Sequence, residues 1–333
     1  MMSGVYISMC KLKCTVVVAL YNGERFILDQ LRTINEQSRR AEEVIICDDG
    51  STDNSVSIVC DYIKNNNIQN WKIKVNKYNK GYSKNFIDMI KEARNEIVFL
   101  CDQDDLWTFN KIELMMSVME ENDDINLLCG DNDFQIIEGM HSKAETRETN
   151  DMQYDGSIEH VVFTKRNMHI QRSGCLMCVR KSFFLKIENF WIPGWAHDDF
   201  IWKFSMINES CYYLHYLTIT RRLHKNNTSK KSGQQTNRST NGRVKQLTEM
   251  KKQNNSVLEY IQTFSHLEKK IEKQNYFKIF NKSLDIRIRF LKTKNPLFFL
   301  ELYFKYQEYY PRIEGLYLDL AIAYLGEKVC QKF

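Results

Sequence analysis

Residues 15–20 read Thr-Val-Val-Val-Ala-Leu. β-branched and apolar side chains follow one another there without polar alternation, the pattern of a strand covered on both faces, and strands of that kind belong to parallel sheets. Downstream, Ile27, Leu31 and Ile34 fall on one helical stripe, and a second apolar strand, Val44-Ile45-Ile46-Cys47, stops abruptly at Asp48-Asp49-Gly50-Ser51. Ser51 or Thr52 can cap a further helix carrying Val56, Val59 and Ile63. A strand over residues 72–75, a helix with Phe86, Ile90 and Ala93, and a strand over residues 97–100 continue the alternation. Strands alternating with helices specify an α/β fold, a mainly parallel sheet flanked by helices.

Beyond Lys111 a helix carries Leu114, Met115, Val118 and Met119, and residues 125–129 read as another strand. Residues 138–167 are polar and aperiodic, as expected of a long loop or irregular excursion. Residues 230–243 have the composition of a flexible loop, and from Leu247 the chain reads as helices rich in Lys, Glu and aromatics. The expected organisation is a domain over residues 1–229, with halves at about 14–130 and 131–229, then a loop and helical C-terminal region over 230–333. The boundary falls near Ser229.

A content of 43% hydrophobic and 27% charged residues in 333 is ordinary for a globular chain with a full core. The net charge of +5 is modest and compatible with a weak preference for phosphates or an anionic membrane surface. No N-terminal stretch resembles a signal peptide, and no apolar window approaches the roughly 20 residues that span a bilayer. The expected location is cytoplasmic, free or peripheral at the inner face of the cell membrane. The ten cysteines are scattered, and Cys14, Cys47, Cys101 and Cys129 sit in or beside apolar strands, as reduced core residues do. Cys175 and Cys178 have CxxC spacing but lack the second pair that a four-ligand zinc site needs.

Ligands of parallel α/β sheets collect beyond the carboxyl ends of the strands. Three such ends are polar here: Tyr21-Asn22-Gly23-Glu24, Asp48-Asp49-Gly50-Ser51 and Cys101-Asp102-Gln103-Asp104-Asp105. Any one of them is ordinary turn or cap chemistry, whereas three at corresponding ends of one sheet point to a site. Asp102, Asp104 and Asp105 would repel one another in a partly dry cleft unless a cation offsets them. A hard divalent ion, Mn2+ or Mg2+, suits carboxylate oxygens and substrate phosphates. No P-loop and no GxGxxG is present, so phosphates must rely on metal and basic groups. The segment from Asp48 is not an EF-hand, since Gly50 comes too early and Val59 stands where the closing Glu belongs.

These residues resemble a known family. Tyr21-Asn22, Asp48-Asp49-Gly50-Ser51-Thr52-Asp53, Asn79-Lys80-Gly81, and Asp102-Gln103-Asp104-Asp105-Leu106-Trp107 followed by Lys111 match, in order and spacing, family 2 glycosyltransferases of the GT-A fold. Phe109 departs from the pattern, where similar sequences often carry Pro. The resemblance implies a nucleotide-sugar site over about 14–130, drawing on Leu20, Tyr21, Asn22, Glu24, Asp49, Lys80, Asp102, Gln103 and Asp104. In it Tyr21 and Asp49 meet the nucleobase, Asp102 reaches the ribose, and Asp104 binds the metal that bridges the diphosphate. Gly194-Trp195-Ala196-His197-Asp198-Asp199 stands where the family carries its catalytic carboxylate, and its His-Asp pair resembles a branch that includes bacterial rhamnosyltransferases. Asp198 takes the base position, with Asp199 the alternative; an acidic helix cap is the plainer account of both. Arg221-Arg222-Leu223-His224 resembles the family's basic segment, where His224 joins the metal and Arg222 faces the diphosphate.

The expected reaction is inverting transfer of a sugar from a nucleoside-diphosphate donor, UDP or dTDP favoured, to a glycan or lipid-linked glycan hydroxyl in surface polysaccharide synthesis. No role for nucleic acid is expected. A non-catalytic nucleotide-sugar-binding protein and a nucleotidyltransferase are the alternatives. In the C-terminal region, Pro296-Leu297-Phe298-Phe299-Leu300-Glu301-Leu302-Tyr303-Phe304 lies among Lys292, Lys294 and Lys305. Its continuity favours a core helix, and its lysines and aromatics would also suit a membrane interface.

Overall fold

The computed structural model describes residues 11–137, 154–225, 227, 239–310 and 313–325. Strands β1 (Cys14–Leu20), β2 (Glu43–Asp48), β3 (Trp71–Val75) and β4 (Ile97–Asp102) pair in parallel in the spatial order β3-β2-β1-β4. Helices α1 (Ile27–Asn35), α2 (Ser55–Asn65) and α3 (Tyr82–Glu92) join them, and α4 (Lys111–Glu121) follows β4 and the two-residue β5 (Leu106–Trp107). The unbroken apolar runs have a direct cause. Val16, Val18 and Leu20 face one core with Ile27 and Leu31 of α1 and Met115 and Met119 of α4. Val17 faces the opposite core with Phe86 and Ile90 of α3. The chain moves outward from β1 to β3 and returns on the other side of β1 with β4, so the connections part beyond the carboxyl ends of β1 and β4. In a sheet wound this way the ligand crevice opens at that reversal. The register sets Ala19 opposite Asp102 and Leu20 opposite Asp48, which brings the three polar strand ends to one level.

The second half is mixed. β8 (Met177–Arg180) inserts antiparallel between β4 and β6 (Leu127–Ile136). The long β9 (Cys211–Leu223) runs parallel to β6, while β5 and β7 (Ile158–His160) pair antiparallel with β9. Helices α5 (Lys181–Ile187) and α6 (His197–Ile207) cover this half. Two expectations are corrected. β6 runs well beyond residue 129, because a register irregularity near Asp131 lets the polar residues that follow pair with β9. Within the expected loop of residues 138–167, the described part contains β7, whose His160 ring stacks on Tyr212. Residues 138–153 and Ser229 lie outside the described residues.

The C-terminal region comprises α7 (Thr240–Thr263), α8 (Lys270–Thr293), the short α9 (Pro296–Glu301) and α10 (Glu314–Leu325). Residues 240–243, expected as loop, are the first turn of α7, because the Ser239 side chain caps it by accepting from the Gly242 amide at 3.0 Å. These helices share their core with the sheet: Val257, Tyr260, Phe277 and Leu284 join the cluster that holds Phe200 and Phe204 of α6. The fully buried Lys273 donates to the carbonyl of Ile207 at the end of α6 at 2.9 Å and pairs with Glu209 at 2.8 Å. In α10 the buried Asp319 accepts from Arg243 Nε at 2.7 Å, Arg287 Nε at 2.8 Å and the Tyr310 hydroxyl at 3.1 Å. Among the described residues no helix is long and apolar enough to cross a membrane. Cys14, Cys47, Cys101, Cys129, Cys175, Cys178 and Cys211 are buried free thiols.

Candidate active site

The loops after β1 and β2 are laced together. Asn22, at φ 48°, accepts from the Thr52 amide at 2.8 Å and donates its own amide to Ser51 Oγ at 2.8 Å. Short amide side chains tolerate this left-handed conformation better than most. Glu24 accepts from the amide and side chain of Asn54 at 3.0 and 2.9 Å. Asp48 takes the amides of Gly50 and Ser51, and Asp49 accepts from Asn76 Nδ2 at 2.9 Å, the Lys80 amide at 2.9 Å and the Gly81 amide at 2.8 Å. Asp49 therefore secures the entry to α3, while the Lys80 ammonium lies 3.6 Å from Asp88. Gln103 closes the gap between β1 and β4, with its amide oxygen 2.7 Å from the Tyr21 nitrogen and its amide nitrogen 3.0 Å from the Tyr21 oxygen. A Cβ on Gly23 would come within 2.5 Å of Gln103 Oε1, so a larger residue there would have to displace the Gln103 side chain from this bridge. Leu20 is buried beneath these loops and the Tyr21 side chain stands exposed.

At the end of β4 the carboxylates divide. Oxygens of Asp102 and Asp105 and the sulfur of Cys175 lie within 4.8 Å of one another. Burial, and then the charges of Asp105 and Asp104, push the Asp102 carboxyl well above its ordinary range; burial and then Asp104 do the same to Asp105. Burial likewise pushes up the Cys175 thiol, which hydrogen-bonds to Asp105. Asp104 points elsewhere: its Oδ2 lies 2.9 Å from His224 Nε2 and accepts from Asn227 Nδ2 at 3.1 Å. The buried His224 ring stacks on Phe26 with centroids 4.4 Å apart.

Arg222 is placed by the fold. Its Nε donates to the Asp104 carbonyl at 2.6 Å, Nη1 to Asp29 at 2.9 Å and Nη2 to the Phe26 carbonyl at 3.0 Å, so the guanidinium clamps α1 to the acidic loop. Arg221, its neighbour on β9, is the cation whose charge bears on Asp102, Asp105 and Asp104. Alternate strand residues face opposite ways, which explains the division of labour. Lys111 also has a defined part: buried over the Trp107 ring at 4.0 Å, it donates to the Cys175 carbonyl at 2.7 Å and fixes the 174–176 turn against the acidic loop.

Across the crevice, α6 presents its acidic first turn. Asp198 Oδ1 accepts from the Asp199 amide at 2.8 Å, and its charge bears on both Tyr82 and Asp102. Asp199 is committed, accepting from Trp195 Nε1 at 2.6 Å and from Lys203 Nζ. His197 is buried against Phe86, with ring centroids 4.1 Å apart, and a Cβ on Gly174 would stand 2.6 Å from its Nε2. The bare Gly174 backbone thus lets α6 approach the 174–176 turn closely. Sequence reasoning missed Arg221 and the tie made by Lys111; the basic pair and the spaced Lys were visible, but their directions were not.

Known proteins resemble this chain in sequence and in fold. The profile of Glycosyl transferase family 2 matches residues 15–191. The dTDP-rhamnosyl transferase RfbG of Shigella flexneri is 27% identical over 223 residues, which cover 63% of this chain and 72% of that one. The UDP-Glc:alpha-D-GlcNAc-diphosphoundecaprenol beta-1,3-glucosyltransferase WfgD of Escherichia coli is 28% identical over 123 residues, covering 37% of this chain and 46% of that one. Among solved structures, residues 1–349 of S. aureus TarS in complex with UDP-GlcNAc superimpose with a TM-score of 0.60 at 17% identity, over 96% of this chain and 91% of that one. With the family profile spanning more than half the chain and the strand order and helical layers of a GT-A sheet in place, this protein belongs to glycosyl transferase family 2.

Proposed function

We propose that the protein is a metal-dependent inverting glycosyltransferase that moves a sugar from a nucleoside-diphosphate donor, UDP or dTDP, to a hydroxyl of a glycan or lipid-linked glycan in surface polysaccharide synthesis. The observation that carries this reading is Asp198. It shares the crevice with the Asp102–Asp105 cluster and makes no ion pair among the described residues, whereas Asp199 is bound to Trp195 and Lys203. The donor half is residues 14–130 and the acceptor and catalytic half 131–229, and the described helices α7 to α10 of the C-terminal region buttress them. The similarities to RfbG and WfgD support the two donor nucleotides and the lipid-linked class of acceptor.

The donor set fits a hard divalent cation. Asp102 and Asp105 are driven toward their neutral forms by burial and mutual repulsion, and a cation relieves both. Asp104 and His224 would hold Mn2+ or Mg2+ with Asp102 alongside, while Cys175 stays protonated as a donor to Asp105 rather than a thiolate ligand. When bound, the ion supplies Lewis-acid stabilisation of charge on the leaving diphosphate. Tyr21 offers its exposed ring to the nucleobase, with Asn22, Glu24, Asp49, Lys80 and Gln103 shaping the loops that receive it. Arg221 adds a fixed positive charge near the phosphates, and Arg222 holds the acidic loop in place. The acceptor oxygen bonds to the anomeric carbon as the anomeric carbon–phosphate oxygen bond breaks. Its proton passes to Asp198, and the nucleoside diphosphate departs with the bonding electrons. One base without a second carboxylate as nucleophile gives inversion.

Product analysis tests this reading after a thermal-shift screen of nucleotide sugars with manganese has identified the donor. A donor at about 100 times its dissociation constant stabilises by about 2.7 kcal/mol. Release of nucleoside diphosphate with an inverted glycoside supports the proposal. Pyrophosphate release would instead mark nucleotidyl transfer, and stabilisation without turnover a binding protein.

A further inference from the structure

The expected core helix near the C-terminus has two apolar faces. Phe298 and Phe299 pack against the main core, followed by the buried Leu302 and Tyr306. Leu297, Leu300 and Phe304 point outward with exposures of 67%, 46% and 72%. Their spacing of three and four residues makes one stripe, even though the helix widens into a π-turn over Leu302–Tyr306. The orientation is fixed at both ends. Asn295 caps α9 by accepting from the Leu297 amide at 3.0 Å, Pro296 occupies the first turn, and the Phe299 ring lies 5.7 Å from Phe290 of α8. The end of α10 adds exposed Tyr324, whose hydroxyl donates to the Lys294 carbonyl at 2.5 Å. Lys292 and Lys294 precede the stripe in the chain and Lys305 follows Phe304; all three are exposed, and none forms an ion pair among the described residues.

We propose that this surface docks the protein reversibly on an anionic phospholipid bilayer. Leu297, Leu300 and Phe304 enter the headgroup–acyl boundary, Tyr324 lies at headgroup level, and the three ammonium groups meet lipid phosphates. The charges distinguish this occupant from a second copy of the chain, because protein interfaces are depleted in lysine. Among the described residues no helix is long and apolar enough to cross a membrane, and the proposed docking uses the apolar stripe and its charges together. The proposal does not depend on which donor or acceptor the active site takes.

The test is cosedimentation of the full chain at low salt with phosphatidylglycerol-containing vesicles, compared with phosphatidylcholine vesicles. The parent should bind the anionic vesicles and be released by salt. Changing Leu297, Leu300 and Phe304 together to Ser should abolish binding while the melting transition is retained. Changing Lys292, Lys294 and Lys305 to Gln should weaken binding roughly 100-fold, at about five-fold per cation. The lysine variant keeps the test decisive if the serine variant is poorly folded, since its side chains project into solvent. No binding by the parent, equal binding to neutral vesicles, or undiminished binding by the lysine variant overturns the proposal. So does a concentration-dependent dimer that the serine substitutions dissolve without any vesicle binding.

Discussion

Asp198→Asn should leave the protein folded and its donor site intact while transfer falls by about 100 to 10,000-fold. In barrier terms that is roughly 2.7 to 5.5 kcal/mol. The amide keeps the carboxylate's shape and can still accept from the Asp199 amide, so what is removed is the ability to take the acceptor's proton. Asp199→Asn is the informative contrast. Its carboxylate holds Trp195 Nε1 and Lys203, whose side chain is only 10% exposed, against 18% for Asp199. The cost should lie between the roughly 1 kcal/mol of a surface pair and the about 3–5 kcal/mol of breaking a buried one. That loss falls on stability, with the rate disturbed only as far as α6 shifts. The assay follows nucleoside diphosphate release at saturating donor and acceptor, with donor affinity and chemical denaturation measured on each variant. The base assignment fails if Asp198→Asn transfers at near the parent rate while a folded Asp199→Asn is inactive.

Asp104→Ala should abolish manganese-dependent donor binding and leave the fold intact, since it removes repulsion as well as two hydrogen bonds; retained manganese-dependent binding would remove Asp104 from the metal site. Arg221→Gln should weaken donor affinity with little change in the denaturation midpoint, which equilibrium binding and urea titration can separate. Asp102 and Asp105 have folded-state pKa values raised above the unfolded ones, so the native state binds more protons and these two groups lose stability as pH rises from about 4 through the raised values. The increment in stability on adding manganese should therefore grow with pH across that window, and a pH-independent increment would contradict the role given to these carboxylates. Asp319→Asn should cost about 3–5 kcal/mol, because it leaves the Arg243 and Arg287 guanidinium groups without their shared anion; a urea midpoint near the parent's would show that the clamp contributes little.

β1, β2 and β4 were legible because each is covered on both faces, which leaves a bare apolar run with no phase to misread, while the partly exposed edge strand β3 carries alternating lysines. Val16 and Val17 serve opposite cores and are both apolar. The polar strand ends were legible because they interrupt those runs at one level of the sheet. β6 beyond residue 129 and the three-residue β7 were not, for the converse reason. The exposed Asp133 and the surface residues of β7 carry the polar composition of a loop, and only pairing with β9 makes them strand. The C-terminal run was half legible. Its apolar content announced a buried face through Phe298 and Phe299, while the outward face of Leu297, Leu300 and Phe304 was hidden by the same continuity.

What a polar residue does at a strand end is decided by partners far away in the chain, which local pattern does not encode. Arg222 reaches Asp29 and the Phe26 carbonyl, 193 and 196 positions distant, and with those bonds made its guanidinium belongs to the scaffold. Arg221 has the same chemistry one step along the strand and is left to act on the acidic cluster. Asp198 and Asp199 repeat the division on a helix, where a change of one position rotates the side chain by about 100° and exchanges the crevice for Trp195 and Lys203. The charged residues held by the fold set the orientation of groups that act in the crevice: Arg222 holds the loop that carries Asp104, and Asp199 holds the turn that carries Asp198. Substituting a member of the first kind should therefore lower stability and activity together, and substituting its neighbour should lower activity alone.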